Sequence, residues 1–267
     1  MALYGILGDI HGNREALEAA LAALDELGAE RIACVGDIVG YNADPDACVE
    51  ILAARRAACI AGNHDLIGTG MLGFERCSNK AMHSLKRTRR HLARPTAERL
   101  RRLPAHLVIE GDVVLTHGGI RDVQQYMTRP QHILENAALM RSDFPHACIC
   151  FFGHTHEQRV FVTDGAEVHE PWSDALAGGN DVVASLEPGP LYFINPGSVD
   201  ASRKRTTKVA EFALFDSTAR TVRFGRVPYD AAATEAKARS GGFRIDRWRD
   251  RLYDVQRRLV GPRHDSV

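Results

Sequence analysis

The sequence has no excess of charge, no long hydrophobic run and no matched cysteine pairs, and each absence excludes a class of protein. Its 34 basic and 34 acidic residues cancel, so no overall field favours nucleic acid or a membrane surface. No apolar run approaches the ~20 residues that a helix needs to span a bilayer. The six cysteines lie mostly inside apolar segments. They favour free thiols in a reducing cytoplasm over a disulfide framework or a zinc–cysteine site.

The N-terminus also lacks the basic region and long apolar core of a signal peptide, because a short strand-like segment leads straight to Gly8-Asp9. We therefore expect a cytoplasmic protein with no membrane partner, and nucleic acid is not an expected partner. The length of 267 residues suits one large domain or two small ones. No internal boundary is evident, so we predict a single domain over residues 1–267 and leave a homo-oligomer open.

Strand-like and helix-like segments alternate at the start of the chain. Short apolar segments at 3–8, 31–35 and 57–61 predict strands. Residues 13–27 carry apolar side chains at helical spacing, and a second helix begins at Asp44-Pro45, with proline in its first turn. Strand, helix, strand, helix, strand predicts right-handed crossovers and a parallel sheet.

The later part of the chain predicts hairpins instead, at 107–116, 159–169 and 209–227. Further strands are expected at 147–152 and 191–194, and helices at 131–141 and 231–239. An arginine-rich stretch at about 66–102 predicts a helical insertion, and about 230–267 a C-terminal helical tail. The Gly- and Ala-rich segment 172–189 shows no period, so we expect a mobile loop. The pattern as a whole fits an α/β (α+β) fold with two packed mixed sheets and helices outside.

Five strand ends carry carboxylate, imidazole or amide groups, usually beside glycine, which lets the backbone turn sharply and a metal approach. They are Asp9-Ile10-His11, Gly36-Asp37, Gly62-Asn63-His64-Asp65, Thr116-His117-Gly118-Gly119 and Gly153-His154-Thr155-His156. In layered α/β proteins, ligands bind at the carboxyl ends of strands. Imidazole with carboxylate suits Zn, Fe, Mn, Co or Ni. The set is too rich for one tetrahedral structural zinc and fits two metals that share a carboxylate.

With these five motifs in this order, the chain resembles the calcineurin-like metallophosphoesterase superfamily over about residues 3–215. The resemblance implies a four-layer αββα sandwich of two mixed sheets, with the metal site at strand carboxyl ends. It implies two divalent or trivalent metal ions, with Mn, Fe, Zn, Co and Ni all open. The ligand roles that it implies are Asp9, His11 and His156 on one metal, Asn63, His117 and His154 on the other, and Asp37 as the bridge.

The resemblance also implies a phosphoesterase in which a metal-bridging hydroxide attacks phosphorus. His64 would act as the general acid that protonates the leaving oxygen. Asp65 is a second catalytic candidate because it could hold the His64 tautomer, and a surface role is equally open. Three further residues, Arg121, Tyr41 and Asn13, are candidate substrate contacts. Of these, Arg121 has the guanidinium that matches phosphate bidentately.

Local sequence favours one branch of the superfamily. The stretch from Gly36 to Tyr41, the run His117 to Asp122 with Tyr126 downstream, and Asn195-Pro-Gly-Ser198 are similar to small bacterial phosphoesterases of the diadenosine-tetraphosphatase-like kind. Protein Ser/Thr phosphatases carry an arginine where this chain has Ala61, and Asp-Arg-Gly where it has Gly40-Tyr41-Asn42. The branch pattern does not cover the long segment 172–189 or the basic residues 203–205.

The leading hypothesis is a hydrolase of small phosphodiesters or nucleotides such as dinucleoside polyphosphates, with a small phosphorylated substrate as partner. The alternatives are a Ser/Thr-type protein phosphatase or a nuclease of the same superfamily, or a metal-binding scaffold without catalysis. The arginine run 86–102 could contact nucleic acid, but a solvated helix face is the commoner explanation.

Overall fold

The computed structural model describes residues 2–179, 181–200, 208–246, 248–251, 253 and 255. Its strands, in chain order, are β1 (Leu3–Leu7), β2 (Arg31–Cys34), β3 (Ala58–Cys59), β4 (Leu107–Ile109), β5 (Val113–Leu115), β6 (Ile149–Phe151), β7 (Gln158–Thr163), β8 (Val168–His169), β9 (Val182–Ser185), β10 (Leu191–Pro196), β11 (Val209–Asp216) and β12 (Thr221–Pro228). Its helices are α1 (Arg14–Glu26), α2 (Pro45–Ala54), α3 (Asn63–Gly68), α4 (Asn79–His91), α5 (Arg94–Arg101), α6 (Pro130–Asp143), α7 (Ser173–Ala177) and α8 (Ala231–Ser240).

The strands form two six-stranded mixed sheets. The first sheet has the order β3-β2-β1-β11-β12-β9, and the second has the order β4-β5-β6-β10-β7-β8. In the first sheet β1, β2 and β3 run parallel, as the opening alternation predicted, and the remaining pairs are antiparallel. In the second sheet β6 lies parallel to both of its neighbours, β5 and β10. All three predicted hairpins are present.

The two sheets pack face to face and carry helices on their outer faces. Between the sheets, Phe151 and Phe215 meet edge to face with ring centroids 5.5 Å apart, inside one buried apolar cluster. On the outside of the first sheet, α1 and α2 bury residues such as Leu17 and Leu52. On the outside of the second sheet, α6 buries residues such as Ile133. The predicted four-layer sandwich of two mixed sheets with helices outside is therefore confirmed.

The prediction of a mobile loop over 172–189 is wrong. This segment contains α7 and the edge strand β9, which pairs with β12. In β9, Val182 and Ala184 are buried while Val183 and Ser185 are exposed. Four residues of alternation are too few to stand out in a glycine-rich stretch, and the pairing with β12 supplies the missing stabilisation.

The predicted insertion at 66–102 contains α4 and α5, and its arginines make local contacts. Arg89 donates from Nε to Ile67 O at 3.1 Å and stacks over Phe74. Arg101 donates to Thr69 O at 3.0 Å. These bonds satisfy backbone carbonyls of the preceding segment, so part of the arginine run has a structural role.

The predicted C-terminal tail begins with α8, and residues 248–251 are also helical. The basic residues 203–205 lie outside the described residues, as does most of the chain after 251. None of the helices in the described part of the chain has the length and apolar character that a bilayer crossing requires. That residues 1–267 form one domain stays a prediction.

Candidate metal centre

All seven predicted metal ligands lie together where the carboxyl ends of strands from both sheets meet. The first sheet contributes the residues that follow β1, β2 and β3, and the second sheet contributes those that follow β5 and β6. Every one of them except His156 is at least nine-tenths buried. The cluster therefore spans the seam between the sheets.

One group of ligand atoms comes from Asp9, His11 and His156, and they all lie within 4.8 Å of one another. His156 Nε2 is 3.2 Å from Asp9 Oδ1 and 3.2 Å from His11 Nε2. Two imidazole nitrogens and one carboxylate oxygen at such spacing form a donor set suited to a first-row transition metal.

A second group comes from Asp37, His117 and His154, whose ligand atoms also lie within 4.8 Å of one another. His117 Nε2 is 3.4 Å from Asp37 Oδ1 and 3.0 Å from Asn63 Oδ1. The other oxygen of Asp37, Oδ2, is 3.8 Å from His11 Nε2 in the first group. The two oxygens of one buried carboxylate thus face the two groups.

His64 lies against the first group. Its ring is 4.6 Å from that of His11, centroid to centroid, and its nitrogen falls within 4.8 Å of ligand atoms of His11 and Asp37. Its backbone N–H donates to Asp37 Oδ1 at 2.7 Å. Position alone is therefore compatible with a third nitrogen ligand as well as with a proton donor beside the site.

The backbone at this centre is held in an uncommon conformation. Five ligand residues have left-handed φ values between 53° and 66°: Asp9, His11, Asp37, His154 and His156. Non-glycine residues adopt this region rarely, at a cost of about 1–3 kcal/mol each, and such strain concentrates at functional sites. Hydrogen bonds between neighbouring loops hold it, including Asp9 N to Gly36 O at 3.1 Å and His11 N to Asp37 O at 2.9 Å.

Two glycines let these loops approach each other. A Cβ added to Gly62 would lie 2.2 Å from both N and Oδ1 of Asp37, and one added to Gly36 would lie 2.5 Å from Gly62 N. Real Cβ atoms do not come so close to backbone or carboxylate atoms. The glycines of these two motifs are therefore required by the packing around Asp37.

Hydrogen bonds on the far sides of the imidazoles orient them toward the centre. His117 Nδ1 donates to Val35 O at 2.8 Å, and His11 Nδ1 to Val39 O at 3.3 Å, which directs each Nε2 lone pair inward. His154 Nε2 is buried and has no hydrogen-bond partner among the described residues. A buried polar atom without a partner is costly, and a bound cation would satisfy it. The donor set, its orientation and this nitrogen all fit a metal.

Burial and opposite charges shift the pKa values of the cluster. Burial disfavours the carboxylate of Asp37, but His117, His64 and His11 outweigh it and hold its pKa well below the usual range. Burial also disfavours the imidazolium of His117, yet Asp37 and Asp9 raise its pKa to about 9. Burial and the neighbouring His117 lower the pKa of His154 to about 3. In the protein without a cation, a proton on His117 thus balances part of the carboxylate charge.

A cavity of about 390 Å³ opens onto the centre. Two aromatic rings flank it: Tyr41 packs 4.7 Å from the rings of both His11 and His64, and Tyr126 stacks on His154 with centroids 4.0 Å apart. Tyr126 is 57% exposed, so much of this residue is accessible to a ligand.

Part of the lining of this cavity comes from the segment before α4. Arg76 lines the cavity and bonds Asp122 and Gln124 O, which joins this segment to the loop after β5. Sequence reasoning missed Arg76, since no local pattern relates position 76 to the centre. It noted Tyr126 only as part of a branch resemblance.

Two predicted substrate contacts are not brought to the cavity, and these predictions are corrected here. Arg121 pairs with both oxygens of Asp143, at 2.9 and 2.6 Å, on the protein surface. Asn13 is fully buried, where it caps α1 through Ala16 N and donates to Asp200 at 2.8 Å. An ion pair and a helix cap account for both side chains. Only Tyr41 of the three lines the cavity.

Asp65 is buried behind His64. Its two oxygens accept backbone N–H bonds from Val39 at 3.1 Å and Gly62 at 2.9 Å. Burial and the charge of Asp37 raise its pKa to about 7. Both bonds fix the turn that begins α3, so the geometry favours a role in shaping this turn over the orientation of His64.

Comparison with known proteins gives consistent matches. The calcineurin-like phosphoesterase superfamily domain matches residues 2–220. The crystal structure of a metallophosphoesterase from Sphaerobacter thermophilus is 29% identical, with a TM-score of 0.73, and the match covers 94% of this chain and 97% of that chain. An uncharacterised protein of Methanocaldococcus jannaschii is 27% identical over 236 residues, 86% of this chain and 88% of the relative.

A more distant structure is that of a candidate diadenosine tetraphosphatase. It is 19% identical, with a TM-score of 0.52, and the match covers 86% of this chain and 95% of that chain. At this identity the likeness supports a common fold and carries no information about substrate.

Proposed function

We propose that this chain, which belongs to the calcineurin-like phosphoesterase superfamily, is a dinuclear metal-dependent hydrolase of small phosphodiesters or nucleotides. Dinucleoside polyphosphates are the specific candidates. One observation carries the proposal: two groups of ligand atoms share the carboxylate of Asp37 at the base of a cavity of about 390 Å³. A cavity of this volume suits a small-molecule substrate.

The two groups would hold one metal ion each, with Asp37 between them and Asn63 as a neutral ligand of the second. When bound, such a pair supplies positive charge to phosphate oxygens and lowers the pKa of a coordinated water. Asn63 brings an oxygen donor without adding negative charge beside Asp9 and Asp37. The identity of the metals depends on availability as much as on the donor set.

His64 is the proposed general acid. It lines the cavity, as do Tyr41 and Asp37, and the hydrogen bond from its backbone N–H to Asp37 fixes the position of its backbone. An imidazolium at this position would donate a proton to the leaving oxygen of the substrate. Tyr126, an exposed residue that lines the cavity, would stack against an aromatic leaving group.

The alternatives have less support. The bonds of Arg89 and Arg101 to backbone carbonyls turn part of the arginine run inward, which weakens the case for a nuclease groove. A scaffold without catalysis has no need for the complete ligand set. We propose a cytoplasmic location and a small phosphorylated substrate, and the six cysteines, all free, fit a reducing compartment.

The test is hydrolysis of an aryl phosphodiester, bis(p-nitrophenyl) phosphate, by protein loaded with Mn. We expect Asp37→Asn and His64→Ala each to reduce kcat by about 10²-fold or more, since general acid catalysis alone contributes 10²–10⁴-fold. Arg121→Ala is the matched control, because it removes a charge outside the cavity. Absence of hydrolysis with Mn, Co, Ni, Fe and Zn in turn would refute the proposal.

A further inference from the structure

A second cavity, of about 530 Å³, adjoins the metal centre and has no part in the function proposed so far. Tyr41 lines both cavities, and its ring lies 4.7 Å from those of His11 and His64. The second cavity thus shares a lining residue with the cavity that holds the candidate ligands. Its volume falls within the range of small-molecule sites, about 300–1,000 Å³.

Basic side chains dominate the walls of this cavity. Among the residues that the structure describes, its charged lining consists of Lys80, Lys208, Arg239 and Arg244 on the basic side, and Asp200 and Glu235 on the acidic side. Within this described lining, four positive charges against two negative ones leave an excess of two, in a chain whose formal net charge is zero. Such a concentration of charge in a concave site attracts anions.

The two acids are already engaged. Glu235 accepts from Arg244 Nε at 2.8 Å and pairs with Arg239 at 2.7 Å, so one carboxylate serves two guanidinium groups. Asp200 accepts from the amides of Asn13 and Asn42.

The two lysines differ. Lys80 and Lys208 are exposed, and within the described part of the chain neither forms an ion pair. Their ammonium groups are the ones available to a ligand.

The remaining wall is apolar and partly aromatic. Tyr229, Phe243 and Ile245 line it, together with the ring of Tyr41. Aromatic faces beside free cations match a ligand that has both a flat ring and phosphate groups. A nucleotide combines the two, because its base stacks on aromatic side chains and its phosphates pair with cations.

We propose that the second cavity binds the non-reacting half of the substrate, a nucleotide moiety whose phosphates contact Lys80 and Lys208. The inference rests on the proposed function, because only a substrate cleaved at the metal centre has a second half to bind. A chain of phosphates passing Tyr41 would join the two cavities. Substrates with a second phosphorylated half should then bind better than simple diesters.

Arg244 connects this cavity to the loop that carries Tyr41. It donates to Tyr41 O at 2.8 Å and to Asn42 Oδ1 at 2.9 Å. Arg244 therefore both lines the second cavity and supports the backbone of the residue that the two cavities share. This leaves Arg244 unsuitable for mutation, and the lysines are the better probes.

The experiment compares two substrates on the Mn-loaded enzyme: a dinucleoside tetraphosphate, and bis(p-nitrophenyl) phosphate, which has no second phosphate. For Lys80→Ala/Lys208→Ala we expect KM for the dinucleotide to rise about 10-fold or more, since the variant removes two charged hydrogen-bond donors to phosphate. The kcat/KM for the aryl diester should stay within about twofold. The matched control, Arg90→Ala/Arg99→Ala, removes two exposed charges elsewhere and should change neither.

A second variant tests the cavity by shape. Ala231→Trp places a large ring at a lining position. We expect it to raise KM for the dinucleotide and to leave kcat/KM for the aryl diester unchanged. Equal effects of the lysine variant on both substrates, or no effect on the dinucleotide, would overturn the inference.

Binding of a methylene-bridged dinucleoside tetraphosphate, measured calorimetrically, separates the two proposals. Binding of this analogue that depends on the lysines, with no hydrolysis of the natural dinucleotide, would overturn the proposed function and leave the second cavity as a nucleotide-binding site. Hydrolysis of the dinucleotide with a KM that the lysine variant does not change would overturn only the proposed role of the second cavity.

Discussion

The contact between Gly62 and Asp37 yields the sharpest test of the metal centre. Gly62 has φ −91° and ψ 172°, a conformation that alanine adopts without strain. A methyl group there would nevertheless lie 2.2 Å from the N and Oδ1 atoms of Asp37. Normal contact distances are at least about 1 Å longer, so Gly62→Ala must displace Asp37 by about that amount. The perturbation therefore acts through Asp37 and not through backbone strain at position 62.

We expect Gly62→Ala to reduce kcat about 10²-fold, the effect of a misplacement of about 1 Å. Overpacking should lower the free energy of unfolding by about 1–3 kcal/mol. An assay of kcat on an aryl phosphodiester and thermal unfolding measure these two effects, and elemental analysis reports how much metal the variant binds. Gly28→Ala is the control: its φ is +80° and its Cβ meets nothing within 4 Å. This control should cost about 1–2 kcal/mol of stability and leave kcat unchanged.

Full activity and two bound metals in Gly62→Ala, with unfolding unchanged, would refute the steric argument. A loss of kcat in Gly28→Ala of the same size would refute it as well, because stability alone would then explain both variants.

The remaining predictions concern pH, substrate and stability. Metal affinity should rise about tenfold per pH unit between pH 7 and 9, because a cation must displace the proton on His117. Although burial opposes the charge, Asp37 raises the pKa of His117 to about 9. Calorimetric metal titration in two buffers would count the released proton. Without metal, the stability from that proton is complete below the ordinary pKa of 6.5 and lost as pH rises through 9, which urea unfolding can follow. Tyr126→Ala should lower kcat/KM about 5- to 100-fold for diesters with aromatic groups, while Tyr126→Phe keeps it, in parallel steady-state assays. Arg226→Leu should lower the free energy of unfolding by about 3–5 kcal/mol, measured with urea, because it removes the guanidinium that lies 3.1 Å from the carboxylate of the fully buried Glu211. The double variant Arg226→Leu/Glu211→Gln should recover part of this loss.

The cluster of candidate ligands was predictable because its residues lie in local motifs. Gly36-Asp37 and Gly153 to His156 each follow a short apolar strand, and the ends of neighbouring parallel strands meet at one sheet edge. The family match confirms the resemblance, and the observed topology confirms the sandwich of two mixed sheets. The catalytic roles of His64 and Asp65 stay predictions, and the bonds of Asp65 favour the turn.

The predictions that the structure corrects, and the residues that the sequence did not reveal, depend on contacts between distant segments. Arg121 was two residues beyond a motif, but its neighbour Asp143, on α6, was invisible to local reasoning. Asn13 caps α1 and donates to Asp200, so it lies buried away from the cavity, and this long-range contact has no signal in the local sequence. Arg76 reaches the cavity only through the fold of the insertion, and β9 exists only because β12 pairs with it.

The position of the ligands on both sheets has a mechanical consequence. Asp9, His11 and Asp37 follow strands of one sheet, while His117, His154 and His156 follow strands of the other. An ion bound by ligands from both sets would cross-link the two sheets at one end of the sandwich. At a free metal concentration of 100 times the Kd, each such ion adds about 2.7 kcal/mol to the free energy of unfolding. The distance between the sheets, set by pairs such as Phe151 and Phe215, would in turn affect how closely the ligands from the two sheets approach the ion.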